Sequence, residues 1–363
     1  MRLPKRPEQW IMLMVVGALL IFVSRHTARN GIGDTIEVDT NLHAVPELPF
    51  PASVTPVSEN TSFIALGDVA RCRPKNLVGY VKLGLNYVSN DHIASYGVSE
   101  GAEKTSRLAA KFADAEILGL GDLVYPHGSL FSYKNCFDKY FGSMRKRFHP
   151  VPGNHDYKRS RAAGYFAYWG ERAGPRGKGY YSFDRGNWHI IALNSELYEA
   201  DFTEQVKWLQ SDLSRTSARC ILAFFHRPAF SARDPSGDWG SRKLFSILYN
   251  YGASLILSGH NHFYERTAPV DPRGNIAPGR GIRTFVVGTG GTKMVYGAQA
   301  ASFTEALISK AWGILKLDLG PNGYGWQFLS APGGEAKDSG TDDCVKRNLL
   351  LPITVQNSAE LPL

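Results

Sequence analysis

An α/β architecture is what this chain predicts, and three features predict it. Four apolar runs, at 63–66, 117–120, 221–225 and 255–257, read as buried strands, and each passes at once into polar residues. Helical patterns fall between the strand-like runs. Hydrophobic residues make up 43% of the chain, and about 300 residues remain once the first 61 are set aside, enough for one large domain with a sizeable core.

The elements follow in chain order. Arg2, Lys5 and Arg6 precede an uncharged run at 10–23, the pattern of a secretory signal. That run is shorter than the roughly 20 residues of a membrane span. Residues 1–24 are therefore read as a signal peptide. No small-x-small cleavage site surrounds Val23, Ser24, Arg25 and His26, so an uncleaved signal anchor is the alternative. Residues 25–61 are polar and proline-punctuated, a linker; 62–345 form the folded domain and 346–363 a tail. Within the domain Asp201 and Glu204 resemble a capping box ahead of an apolar stripe at Val206, Leu209 and Leu213. Leu244, Phe245 and Leu248, closed by Gly252, form a second helical pattern. Strand-like segments at 285–287, 314–317 and 325–328 are expected to complete a second sheet. Periodicity alone also allows a single doubly wound sheet.

Seven side chains stand in the polar segments: Asp68 in ALGDVA, Asp122 and Tyr125 in GLGDLVY, Asn154 in PGNHD, His226 in FFHRP, and His260 and His262 in SGHNH. Loops at the carboxyl ends of strands converge on one edge of an α/β sheet, so distant segments can share a pocket. Two carboxylates, a phenol, an amide oxygen and three imidazoles match two polyvalent cations about 3.5 to 4 Å apart. Taken singly each residue has an ordinary reading: Asp in turns and caps, Tyr in cores, Asn in turns. The ordered combination is what points to a dinuclear metal site.

On these blocks the sequence resembles the calcineurin-like metallophosphoesterases, and within them the purple acid phosphatases, over roughly residues 60 to 345. General members carry Asp-x-His in the first block, whereas this chain has Asp68, Val69 and Ala70. Purple acid phosphatases use a tyrosine from GDxxY instead, matched here by Gly121 to Tyr125, and Phe263 to Arg266 extend the GHxH block as in many of them. Their first block usually reads GDxG; alanine stands at position 70. The resemblance implies two central β-sheets flanked by helices, in four layers. It also implies that Asp68, Tyr125 and His262 hold a trivalent ion, that Asn154, His226 and His260 hold a divalent one, and that Asp122 bridges them. Phenolate beside carboxylate suits iron(III); the second ion would be iron, zinc or manganese.

The implied activity is hydrolysis of phosphate monoesters by a metal-bound hydroxide on a small phosphorylated substrate. His155, next to Asn154, would be the catalytic residue, giving a proton to the leaving group or hydrogen-bonding the phosphate. Two other readings keep the ligands: a phosphodiesterase or nucleotide pyrophosphatase on the same site, and an exported metal- or phosphate-binding module without turnover. His127 and Arg227 could line the pocket, and Glu265 with Arg266 could pair behind it, but ordinary surface positions suit them as well. Arg233, Arg242 and Lys293 receive no role. His189 matches no metal block and reads as a packed histidine.

A signal segment makes the compartment extracytoplasmic, periplasmic or secreted, with membrane contact only through an uncleaved anchor. There, four cysteines can form disulfides in three pairings. Cys72 and Cys136 both follow ligand loops, which favours joining them and pairing Cys220 with Cys344; four buried thiols are the alternative. No CxxC suggests a further zinc site. Half of the net charge of +8 lies in residues 1–30, with five basic side chains and one acid, and belongs to targeting. The densest basic run in the domain, Arg145 to Arg147, reads as a charged turn or helix end. No nucleic-acid partner is expected, and the sequence does not speak to oligomeric state.

Overall fold

The computed structural model describes residues 61–74 and 96–347. The signal segment, almost all of the linker and most of the tail lie outside the described residues, as does much of the segment between Arg71 and Glu103. Strands β1 (Thr61–Leu66), β2 (Ala70–Pro74), β3 (Tyr96–Val98), β4 (Glu116–Leu120), β5 (Val124–Tyr125), β6 (Phe148–Val151), β7 (Tyr181–Arg185) and β8 (Trp188–Ala192) come first. They are followed by β9 (Cys220–Phe224), β10 (Leu255–Ser258), β11 (Tyr264–Thr267), β12 (Arg283–Val287), β13 (Thr304–Ile308), β14 (Gly313–Leu319), β15 (Gly323–Ser330) and β16 (Glu335–Asp343).

Two large sheets result, ordered β16-β15-β14-β1-β4-β6 and β13-β11-β12-β10-β9-β8-β7, with a small β3-β2-β5 sheet beside them. The strands that lead to the polar blocks are parallel: β1 with β4, β4 with β6, β9 with β10 and β10 with β12. Successive side chains of a strand point to opposite faces, and the burial follows that rule. Phe63 and Ala65 join Leu118, Leu120, Ile190, Leu222, Leu257 and Phe285 in a core between the two sheets. Ile64 and Leu66 face the other way, toward Leu108 and Ala109 of the helix Glu100–Ala110 and toward Phe137. On the far side, Ile191, Ile221 and Ile256 meet Leu209 and Leu213 of the helix Glu199–Arg215 and Leu244 of the helix Trp239–Asn250. Helix, sheet, sheet, helix is thus the layer order, and both faces of β1 and β4 are buried, which explains their unbroken apolar runs.

Two sequence expectations need correction. Only β12, of the three later strand segments, joins the sheet of β9 and β10; β14 pairs antiparallel with β1 and carries β15 into the first sheet. That pairing is non-local, and local pattern does not encode it. Nor does Asp201 cap a helix: the helix begins at Glu199 after Tyr198, with no side-chain cap, and Glu204 instead binds Lys178 Nζ at 2.6 Å. The second helix behaves as expected, ending where Gly252 takes φ 75° and Ala253 N–H donates to Leu248 O.

The cysteines pair as preferred, Cys72 with Cys136 and Cys220 with Cys344, over separations of 64 and 124 residues. Arg145 and Arg147 are not simply solvated: Arg147 Nε donates to Ala115 O at 2.8 Å and Arg145 lies over the Tyr168 ring. His189 is packed, with Nδ1 2.6 Å from Asp184 Oδ1 and Nε2 2.8 Å from Asp212 Oδ2. Burial opposes its charge, but the two carboxylates win and raise its pKa above the ordinary value. A raised folded pKa stabilises fully below the unfolded pKa of about 6.5, and that stability is lost as pH rises through the folded value. His189→Asn is therefore expected to destabilise by about 1 to 2 kcal/mol at pH 5.5 and by less at pH 9. Urea unfolding at the two pH values checks this; an equal loss at both would remove the charged histidine from the account.

Candidate metal centre

All seven sequence-derived ligand residues meet at one end of the parallel strands. Asp68 stands two residues after β1, Asp122 two after β4, His226 two after β9 and His260 two after β10, with Tyr125 ending β5. The loops bond to one another: Asp68 N–H donates to Gly121 O at 3.2 Å, Val69 N–H to Asp122 O at 3.1 Å, and Gly259 N–H to His226 O at 3.0 Å. Asp68, Asp122 and His260 take φ of 60°, 49° and 68°. Such left-handed conformations cost about 1 to 3 kcal/mol each outside glycine and gather at functional sites. Small neighbours are needed too. A Cβ on Gly153 would lie 2.3 Å from Asp122 Oδ1, and one on Gly121, itself at φ 81°, would meet the His226 ring at 2.6 Å.

Two sets of donor atoms emerge. In the first, Tyr125 OH is 2.5 Å from Asp68 Oδ1, 3.1 Å from Asp122 Oδ2 and 3.1 Å from His262 Nε2. In the second, Asn154 Oδ1 is 3.1 Å from His226 Nε2 and 2.9 Å from His260 Nδ1, while His226 Nε2 is 3.4 Å from Asp122 Oδ2. Asp122 Oδ2 belongs to both. Metal–ligand bonds of 2.0–2.3 Å place neighbouring donors on one ion about 3 to 3.5 Å apart, so these residues fit two cations that share one oxygen. Backbone carbonyls set the imidazoles: Nδ1 of His226 donates to Leu120 O at 2.9 Å and Nδ1 of His262 to Lys293 O at 2.8 Å. Each leaves Nε2 facing the cluster. His260 differs, presenting Nδ1.

Electrostatics bind the cluster further. Burial opposes ionisation of Asp68, yet the hydrogen bond and charge of His262 hold its pKa below the ordinary value. Burial likewise opposes the charge of Asp122, and His226 and His155 hold it well below. Against burial, Asp122 and Asp68 push His226 up to about 10; burial and the His226 charge push His260 down to about 3. Burial and the two carboxylates raise the Tyr125 phenol well above its usual range. The two carboxylates are held anionic, and a cation bound at His226 Nε2 would displace the proton there, since a ligating imidazole is neutral.

His155 lies at the edge of this cluster. Its backbone N–H donates to Asp122 Oδ1 at 2.7 Å, its Nδ1 donates to Pro126 O at 2.7 Å, and its ring is 4.3 Å from that of Tyr125. Nε2 lies 4.0 Å from Asp122 Oδ2, too far for a hydrogen bond, and 3.1 Å from Lys158 Nζ; burial lowers the pKa of the ring. The ring borders a cleft of about 600 Å³ together with Asp122, Asn154, His260 and His262. Arg227 also lines it, but its guanidinium is held by Glu196 at 2.8 and 3.0 Å. Glu265 and Arg266 do not pair with each other: Glu265 accepts from Ala232 N–H and Thr304 Oγ1, and Arg266 binds Asp338 and Glu305. They lie on consecutive positions of a strand and so point to opposite faces.

Sequence reasoning passed over Asp156. Its Oδ2 accepts from Gly153 N–H at 2.9 Å and its Oδ1 from Tyr133 OH at 2.8 Å, which fixes the turn that carries Asn154 and His155. Burial and the Asp122 charge raise its pKa to about 7. Its place in the PGNHD block was the available signal. Arg71, whose guanidinium carbon lies 5.0 Å from the Tyr125 ring centre, is a second omission.

A family model described as calcineurin-like phosphoesterase matches residues 63–264. The chain is 28% identical over 139 residues to purple acid phosphatase 15 of Arabidopsis thaliana, a match covering 35% of this chain and 25% of that relative. It thus spans about a quarter of that curated relative's length. Among solved structures it is similar to the purple acid phosphatase PPD1 from yellow lupin (Lupinus luteus) seeds, with TM-score 0.60 and 17% identity over 81% of this chain and 55% of the other. It is also similar to GAP50, described as the anchor in the inner membrane complex of Plasmodium, with TM-score 0.59 and 15% identity over 80% and 91%. These structural likenesses concern the fold. With more than half of its residues inside the matched model, the chain belongs to the calcineurin-like phosphoesterase family.

Proposed function

We propose that the chain is an exported dinuclear-metal phosphatase that hydrolyses phosphate monoesters, with residues 62–345 as its catalytic domain. The observation that carries this is the shared corner of the two donor sets, Asp122 Oδ2, 3.1 Å from Tyr125 OH and 3.4 Å from His226 Nε2. Asp68, Tyr125 and His262 would hold an iron(III), Asn154, His226 and His260 a divalent iron, zinc or manganese ion, and Asp122 both. When bound, two such cations supply a hydroxide nucleophile at moderate pH and neutralise charge on the phosphoryl oxygens. The protein's own part is to aim and hold. Carbonyls of Leu120 and Lys293 orient His226 and His262, and Asp156 fixes the turn bearing Asn154. In its imidazolium form His155, with Nδ1 donating to Pro126 O and Nε2 beside Lys158 Nζ at 3.1 Å, would give a proton to the leaving oxygen or hydrogen-bond the phosphate. Export is supported by the two disulfides, which persist in oxidising compartments.

Elemental analysis with a visible spectrum tests the reading. The expected result is one iron and one further metal per chain, with a tyrosinate-to-iron(III) absorption band that Tyr125→Phe abolishes. A colourless, fully active enzyme holding two divalent ions would remove iron(III) and the phenolate from the proposal.

A further inference from the structure

The donor sets form only one wall of the cleft. Most of the rest of its lining comes from the segment 227–239, including Arg233, Asp234 and Trp239. A volume of about 600 Å³ falls within the range that holds a whole small organic ligand, well beyond what a phosphoryl group needs. We propose that Trp239 is a stacking platform for the leaving group, so that the preferred substrates are phosphate monoesters bearing a planar aromatic ring. This rests on the phosphatase reading above and narrows its substrate class.

A single exposed aromatic is ordinary on a protein surface; Trp239 is distinguished by how it is held. It is 75% exposed, yet the turn before it is locked. Gly237 has φ 67°, and a Cβ there would lie 1.8 Å from Ala229 O. Asp234 Oδ1 accepts from Gly237 N–H at 3.1 Å and from Ser236 Oγ at 2.6 Å. Asp238 then caps the helix that Trp239 opens, accepting from Ser241 N–H at 3.0 Å. Phe202, from the helix Glu199–Arg215, packs at 5.4 Å with its ring tilted 46° to the indole. The indole is thereby braced on a rigid turn while most of its surface stays open beside the metal-ligand wall.

Arg227 is committed to Glu196, and the Asp234 and Asp238 carboxylates are held within the turn by N–H and O–H donors. Arg233, whose guanidinium forms no ion pair with any described residue, lines the same cleft. A flat ring on tryptophan gains stacking energy that depends little on the ring's substituents. An acyclic polyol phosphate gains none. Nucleoside monophosphates and aryl phosphates share the required chemistry.

The test compares kcat/KM for 5′-adenosine monophosphate, O-phosphotyrosine and glycerol 2-phosphate in the metal-loaded wild type, Trp239→Ala and Trp239→Phe. Trp239→Ala is expected to lose about 5- to 50-fold on the ring-bearing esters, mainly through KM, with glycerol 2-phosphate changed less than about 2-fold. Trp239→Phe should recover most of the loss. A drop confined to one ring-bearing ester identifies the source as nucleoside or aryl. Equal losses on all three, or none on any, would overturn the platform. Should the wild type turn over no ester, the phosphatase reading fails by itself. Fluorescence titration with adenosine monophosphate then decides: quenching that Trp239→Phe removes supports the platform, and quenching it leaves intact overturns it.

Discussion

His155→Ala is expected to keep both cations and to lose about 10²- to 10⁴-fold in kcat, the usual span for removing a general acid or base. The geometry separates the histidine from the ligands. Its Nδ1 proton is engaged by Pro126 O at 2.7 Å, and its Nε2 stands 4.0 Å from the shared Asp122 oxygen, too far to complete either donor set. Removing the ring therefore leaves every donor atom of the two sets in place. The backbone N–H that supports Asp122 Oδ1 is retained as well. If the ring donates to the leaving oxygen, the loss should be smallest on a nitrophenyl ester, whose phenolate departs without a proton, and largest on an alkyl ester. Metal content by elemental analysis and kcat on the two esters check this. Loss of metal in the variant would make His155 a structural or ligand residue, and equal losses on both esters would remove it as proton donor.

The gathering of the candidate ligands was legible because each block couples a local pattern to a chemical need. A β-branched or aromatic run announces a strand, and a polar residue just beyond it announces a strand end, so Asp68, Asp122, His226 and His260 could be placed at one edge without coordinates. The absence of histidine at position 70 made Tyr125 the substitute, and its phenol does lie 2.5 Å from Asp68. What stayed hidden depends on contacts remote in sequence. The pairing of β14 with β1 joins residues some 250 apart and changes which sheet β14 and β15 belong to. Left-handed backbone at Asp68, Asp122 and His260 is imposed by the surrounding loops, since aspartate and histidine tolerate but do not demand it. Which nitrogen a histidine presents is fixed by a carbonyl elsewhere, Leu120 O for His226 and Lys293 O for His262. The position of Trp239 at the cleft depends on the Gly237 turn and on the packing of Phe202, which no local pattern encodes.

Asp122→Asn should cost more than any change confined to one donor set, on the order of 10³-fold or more in kcat/KM, since each cation contributes several kcal/mol of charge stabilisation. Both carboxylate oxygens are in use: Oδ2 is the corner of the two sets, and Oδ1 accepts from His155 N–H. An asparagine amide has one oxygen. If its NH2 takes the Oδ2 position, a donor faces two cations; if it takes the Oδ1 position, it faces the His155 N–H. Rotation rescues neither arrangement, and the negative charge that would hold the two cations is gone in both. Metal stoichiometry should fall for both ions, whereas His260→Ala, which touches only the second set, should lower one. Circular dichroism and thermal unfolding separate loss of metal from loss of fold, because removing one partner of a buried ion pair is itself destabilising by about 3 to 5 kcal/mol. A folded Asp122→Asn protein that retains two metals and most of its activity would show that the two donor sets do not share this oxygen, and the dinuclear reading of the site would fall with it.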